Sequence, residues 1–443
     1  MKKKIINLII MVFTCFIIIN TNSPATINQI NNLSINDKDL NSYFLYQDIS
    51  KISKIIEMVN ESLLLGYLVD LVEFSPRKTG TYGCEKAGEY IYKKFIEMGM
   101  ETKVYNWTSF GNKYNPGFFS GKNIEATLDG KNKKDEIIIF NAHYDSVWIS
   151  PGADDDGSGV AAVLAAAHVL SKFEFNRTIK FLCFSGEEVG LLGSKAYSKS
   201  AYENDDIILL EFNADMVGYA KTEEDEKKFR IYGTQDVDWY VDQIENLNIQ
   251  FDFNFDLTRG ILSEDRMGGS DYYSFSRYGY EAIAFFEGQW NQNMHTINDN
   301  IENMNIPYLT KTSQLIIASI AYFSDMLIDH PFINIGSPEK GYLYFEGKKI
   351  NNLKDKKDEQ LRTIVFDDIW IWVDIHSEVN SIDKVEFYYN GRIQHTDVDY
   401  PFKWRLNKLS FFNNRIETIV YDSEGNTATD WIDILFVNPR IRE

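Results

Sequence analysis

The sequence predicts an α/β fold with a mixed, mainly parallel sheet flanked by helices, followed by an all-β sandwich. Three observations predict it. Short apolar runs at Ile137–Phe140, Thr178–Phe184, Ile207–Phe212 and Glu281–Phe286 alternate with helical segments, so the strands need crossover connections and are buried on both faces. Beyond Pro331 the texture changes to short aromatic and β-branched stretches separated by turn signals. The 443 residues are 44% hydrophobic and 25% charged, ordinary for a chain that buries real cores and contrary to long-range disorder.

Taken in order, Lys2, Lys3 and Lys4 precede an apolar stretch from Ile5 to Ile19, and Ser23-Pro24-Ala25 follows as a small-x-small site. That is the pattern of a secretory signal peptide over residues 1–25, with an uncleaved N-terminal anchor as the alternative. Residues 26–47, rich in Asn, Ser and Asp, read as a linker or pro-segment. A first domain then spans 48–332. Ile52, Ile55, Ile56, Val59, Leu63 and Leu64 recur at helical spacing within a helix expected over Ile52–Phe74. A turn at Ser75–Gly80 leads to a second amphipathic helix, Cys84–Met98. Gly157–Phe173 is Ala-rich and helical, Asp271–Tyr278 is a shorter helix, and Leu309–Ile328 closes the domain. The second domain, 333–443, holds strands at Thr363–Phe366, Trp370–Ile375, Lys384–Tyr389, Glu417–Tyr421 and Trp431–Val437, with turns at Asn390-Gly391 and Ser423–Asn426.

The formal charge is −20, from 45 Lys+Arg against 65 Asp+Glu. This argues against nucleic acid, whose phosphates need clustered cations, and against an anionic membrane surface beyond the possible N-terminal anchor. Three cysteines do not make a disulfide scaffold, although a Cys84–Cys183 bridge is conceivable in an oxidising compartment. With six histidines, any metal site must use them sparingly.

Three apolar strands run into metal-binding residue types: Asn141-Ala142-His143-Tyr144-Asp145, Ser185-Gly186-Glu187-Glu188 and Asn213-Ala214-Asp215. Ligands of open α/β sheets bind beyond the carboxyl ends of the strands, so His143, Glu188 and Asp215 are expected on one edge. Asp154-Asp155-Asp156 stands just before the Ala-rich helix; three adjacent carboxylates exceed what a helix N-terminus needs and call for a cation. His295 is a fifth candidate. Two His and three carboxylates are too many for one tetrahedral zinc but suit two ions sharing a bridging carboxylate, with manganese or cobalt as chemical alternatives. Asp145 is placed to accept a hydrogen bond from the second ring nitrogen of His143, and in the Glu-Glu pair one carboxylate binds metal while the other takes a proton.

These segments, His143-Tyr144-Asp145-Ser146, Pro151 to Gly159, Gly186 to Ser194, Asn213-Ala214-Asp215-Met216 and His295-Thr296, resemble the co-catalytic zinc aminopeptidases in order and spacing, from about Val59 to Ile328. Ser75-Pro76-Arg77 with Gly80 resembles that family's N-terminal entry. The resemblance implies a zinc exopeptidase fold and two zinc ions. His143 and Asp215 would hold one, Glu188 and His295 the other, and Asp155 would bridge both, with its peptide bond to Asp156 cis. It implies Glu187 as general base toward a water shared by the metals, Asp145 as the partner of His143, and peptides with a free N-terminus as substrates. The chain departs from the family at Tyr272, where many relatives carry the His of Ser-Asp-His; this bears on the substrate pocket wall and not on the ligands. The C-terminal segments Val385–Gly391 and Ile419–Ala428 resemble bacterial immunoglobulin-like modules, which implies contact with a cell surface or other proteins.

His168 reads as a helix-face residue, His330, His376 and His395 as surface residues, and Arg266 as a surface residue with a substrate carboxylate as the alternative contact. The expectation is thus a secreted or extracellular-surface metallo-aminopeptidase. The rivals are a carboxypeptidase-type or glutaminyl-cyclase-type enzyme on the same fold, and a non-catalytic surface-binding protein.

Overall fold

The computed structural model describes residues 49–111, 115–234, 237–261, 269–325, 331–353, 363–377 and 380–438. The chain divides into two compact units, residues 1–53 and 54–443. Of the first, residues 49–53 are described and are helical. The signal-peptide and linker expectations, His330 and Arg266 fall outside the described residues. No described helix is long and apolar enough to cross a membrane.

The expected Ile52–Phe74 helix is interrupted within the second unit. Residues 59–60 leave the helix, and the Asn60 side chain accepts from the Leu63 amide at 3.1 Å, starting a new helix, α1 (Glu61–Val72). An Asn side chain that can take an orphan helix N–H favours a start over a continuation, and apolar periodicity alone does not register this. Thr81 caps α2 (Tyr82–Glu97) in the same way.

The eight-stranded sheet comprises β1 (Glu101–Phe110), β2 (Phe118–Leu128), β3 (Lys133–His143), β4 (Arg177–Phe184), β5 (Ile207–Ala214), β6 (Lys228–Gly233), β7 (Asp256–Ile261) and β8 (Ala282–Glu287). Its order is β1-β2-β4-β3-β5-β8-β6-β7. The central pairs β4–β3, β3–β5 and β5–β8 are parallel, as is β6–β7, while β1–β2, β2–β4 and β8–β6 are antiparallel. The sheet is therefore mixed, with a parallel centre. The helices are α3 (Gly157–Leu170), α4 (Leu192–Glu203), α5 (Asp238–Gln250), α6 (Tyr272–Ser276) and α7 (Ile306–Asp325). α3 is buried at every residue except His168, because it is packed against the sheet, α1, α2 and α7 at once. Ala and Gly fill it since larger side chains would not fit between those layers.

The C-terminal strands form two sheets. One has the order β11-β10-β12-β18-β17-β14-β15 and the other β16-β13-β9, with β9 (Phe332–Ser337), β10 (Tyr342–Phe345), β11 (Lys348–Asn352), β12 (Thr363–Phe366), β13 (Ile369–His376), β14 (Ile382–Tyr389), β15 (Arg392–Asp397), β16 (Lys403–Leu406), β17 (Ser410–Asp422) and β18 (Thr427–Asn438). Val365, Ile371, Val385, Phe387, Leu406, Ile416, Val420, Ile434 and Phe436, drawn from both sheets, share one core. Asn390 and Gly391 turn β14 into β15 with φ of 49° and 71°, the left-handed pair a two-residue hairpin requires.

Candidate metal centre

The parallel strands β3, β4, β5 and β8 end on one edge of the sheet. His143 is the last residue of β3; Glu187 and Glu188 follow β4; Asp215 follows β5; His295 lies on the loop after β8. Asp154, Asp155 and Asp156 occupy the turn into α3. The edge brings the predicted side chains together. Candidate donor atoms of His143, Asp155 and Asp215 lie within 4.8 Å of one another, as do those of Asp155, Glu188 and His295. His143 Nε2 is 3.3 Å from Asp155 Oδ1 and 3.7 Å from Asp215 Oδ1. On the other side His295 Nε2 is 3.0 Å from Asp155 Oδ2 and 3.2 Å from Glu188 Oε2. Asp155 thus turns one oxygen toward each group. Glu187 belongs to neither and stands 3.9 Å from His143 Nε2.

The three aspartates have separate tasks. Asp155 alone enters the cluster, and its bond to Asp156 is cis. Asp156 caps α3 by accepting from the Gly159 amide at 2.9 Å, and it also accepts from the amides of His143 at 3.1 Å and Met216 at 3.3 Å. Asp154 accepts from the Gly218 amide and from Asn291 Nδ2, both at 3.0 Å. Two carboxylates therefore tie the strand-end loops together beneath the third.

Asp145 sits differently from the sequence expectation. The His143 ring, through Nδ1, meets the main-chain oxygen of Asp145 at 3.1 Å, while the Asp145 carboxylate is 3.7 Å away. That carboxylate accepts instead from Thr79 Oγ1 at 2.6 Å and from the amides of Glu187 at 3.2 Å and Glu188 at 3.3 Å. A carbonyl two residues on in the chain can orient the imidazole as well as a carboxylate can, and His-x-Asp spacing does not distinguish the two.

The electrostatics call for positive charge. Burial holds the Glu187 carboxyl well above its ordinary range, helped by Glu188, Asp215 and Asp271 and opposed by His143. Burial also pushes Glu188 up to about 7. Hydrogen bonds to Asp155 and Glu188 raise the His295 imidazole to about 10. For Asp155, burial acts upward, but the two imidazoles together hold it well below the carboxylate range. Glu188 Oε1 is buried with no hydrogen-bond partner. Two imidazoles, three converging carboxylates and an orphaned carboxylate oxygen fit divalent cations with mixed N/O ligands.

Sequence reasoning assigned no role to the supports, although Arg77 stands in the quoted Ser75-Pro76-Arg77 turn. Arg77, fully buried, donates from its guanidinium to Tyr144 O at 2.8 Å, Pro151 O at 2.7 Å and Gly152 O at 2.8 Å. Asp299 accepts from the Asp154 amide at 2.8 Å, the Asp155 amide at 3.3 Å and Ser150 Oγ at 3.2 Å. Most of these partners are main-chain groups, which carry no residue-type signal. Among the blander readings, His168 meets Tyr67 Oη at 3.0 Å on the α3 face, and His395 is exposed. Cys84 and Cys183 are both free and buried, so no bridge joins them. Tyr272 packs against Ala282, Ala284 and Phe286.

The chain is similar to known proteins over part of its length. Residues 123–320 match the family model described as Peptidase family M28. Aminopeptidase YwaD of Bacillus subtilis is 32% identical over 219 residues, 45% of this chain and 44% of that protein. Leucine aminopeptidase 1 of Blastomyces gilchristii is 32% identical over 213 residues, 43% of this chain and 53% of that protein. The chain thus spans about half the length of these curated relatives. Among solved structures, the aminopeptidase from Aneurinibacillus sp. strain AM-1 shares the fold with a TM-score of 0.52 at 19% identity, covering 62% of this chain and 96% of that one. A glutaminyl cyclase from Fimbriiglobus ruber shares it with a TM-score of 0.52 at 16% identity, covering 59% and 95%. The solved structures share the fold of the α/β part.

Proposed function

We propose, from the match of residues 123–320 to peptidase family M28, that this chain is a dinuclear zinc aminopeptidase removing N-terminal residues from peptides. The observation that carries the reading is Asp155, whose two oxygens face two separate ligand groups, His143 with Asp215 and Glu188 with His295. Two bound zinc ions would supply Lewis acidity to the attacking water and the scissile carbonyl, and an anchor for the substrate's free amine. The chain's own contribution is to hold that donor set rigid and to move a proton. Glu187 lies beside the cluster without entering either group, so it takes the proton of the attacking water and delivers it to the departing amine. Burial raises the affinity of its carboxylate for a proton, which suits a group that takes one from water.

The cyclase alternative shares the fold, but a single metal leaves part of this five-residue donor set unused. The N-terminal Lys2–Lys4 and apolar Ile5–Ile19 support export of the chain, and the paired C-terminal sheets suit an immunoglobulin-like module for surface contact. The test is a panel of aminoacyl fluorogenic substrates, free or N-blocked, with and without a chelator. Free-amine substrates should turn over, blocked ones should not, and chelation should abolish turnover. Glu187→Gln should keep its metal and lose at least roughly a hundredfold in kcat. Equal hydrolysis of blocked substrates would sink the aminopeptidase reading.

A further inference from the structure

Thr79 lies on the turn between α1 and α2, 66 positions from Asp145 in the chain. It is 5% exposed, and its hydroxyl donates to Asp145 Oδ2 at 2.6 Å, the shortest contact that carboxylate makes. Asp145 is fully buried. Its Oδ1 accepts the Glu187 amide at 3.2 Å and its Oδ2 accepts the Glu188 amide at 3.3 Å. The two amides belong to the proposed general base and to a proposed metal ligand. The turn itself is anchored: Ser75 Oγ donates to Pro151 O at 2.8 Å, and Arg77 grips the main chain on either side of that point.

We infer that Thr79 is a positioning residue, which sets the Glu187-Glu188 turn by fixing the Asp145 carboxylate in the orientation that receives both amides. The inference rests on the proposed peptidase reading. An O–H to carboxylate bond of this length is charge-assisted and stronger than the two long amide contacts it supports. Without the hydroxyl, Oδ2 keeps only its 3.3 Å amide, and the carboxylate has a competing donor in His143 Nδ1, 3.7 Å from Oδ1. Rotation toward that ring loosens both amides. The general base then shifts relative to the metal pair, while the five ligand side chains remain present. A small displacement of a reacting group costs rate more than affinity.

The test compares Thr79→Val, Thr79→Ala and Thr79→Ser with wild type. Val keeps the shape and removes the donor; Ser restores the donor. Val and Ala should lower kcat by about tenfold or more with KM little changed. In the metal-free protein they should speed amide hydrogen exchange across residues 186–190, and Ser should restore both values. The exchange arm is independent of turnover, so an inactive wild type would refute the peptidase reading while the hold of Thr79 on the 186–190 turn is still read directly. Unchanged exchange and kcat in Val, failure of Ser to restore them, or loss of folding in both Val and Ala would overturn the positioning role.

Discussion

At the scale of single residues, the candidate ligand types could be read because metal chemistry restricts the choice to a few side chains. His143, Glu188, Asp215 and Asp155 are marked by type and by position at a strand end or helix start, and His295 by type within a polar stretch before the closing helix. What holds them was not legible, since Arg77 and Asp299 act on main-chain carbonyls and amides of residues far away in sequence. The consequence for Arg77 is measurable. Replacing it with Met takes the charged donor from the buried Tyr144 and Gly152 carbonyl contacts and from the part-buried Pro151 one, which keeps Ser75, at a cost of about 3 kcal/mol. Denaturant unfolding of Arg77→Met should show that loss, and a midpoint equal to wild type would refute the account of Arg77 as a buttress.

At the scale of elements, the buried parallel strands were legible because burial on both faces writes a continuous apolar run. The edge elements were not. β1, which pairs only with β2, exposes or half-exposes every residue but Trp107, so it carries no alternating signal. The β6–α5–β7 segment likewise went unread: β6 has only half its residues buried, and α5 has Glu, Asp, Asn and Gln scattered along it. Entry to β8 provides a pH test. Glu281, just before that strand, accepts from Thr234 Oγ1 at 2.6 Å, and burial pushes its carboxyl up to about 7. Asp430 adds to the rise and Lys340 opposes it. The folded value lies above the unfolded one, so Glu281's contribution to stability is fully present below about pH 4.3 and is lost as pH climbs through about 7. Glu281→Gln should match wild type near pH 4.5 and exceed it by about 1–2 kcal/mol at pH 8, after allowing for the partial exposure of the site. Parallel stability curves for the two proteins across this range would contradict the assignment.

At the scale of the whole molecule, the α/β part and the C-terminal sheets each carry a core, and no residue beyond α7 contributes to the metal cluster among the described residues. A chain ended after Pro331 should therefore bind the same metal and cleave the same small substrates as the full chain. Loss of metal binding on truncation would mean that the C-terminal sheets are part of the catalytic unit. The switch from mixed α/β elements to strands alone was legible from the change in texture near Pro331, whereas the sheet pairing was not. β10 and β12 pair in parallel, and β12 pairs with β18 in parallel across more than sixty intervening residues, a connection no local pattern encodes. The most direct test of the account is zinc titration of the chelator-stripped chain beside its Asp155→Asn variant, followed by calorimetry. Two equivalents should bind wild type, and the substitution should weaken both sites together, because one carboxylate faces both groups. A single equivalent in wild type, or an unaltered titration in Asp155→Asn, would contradict it.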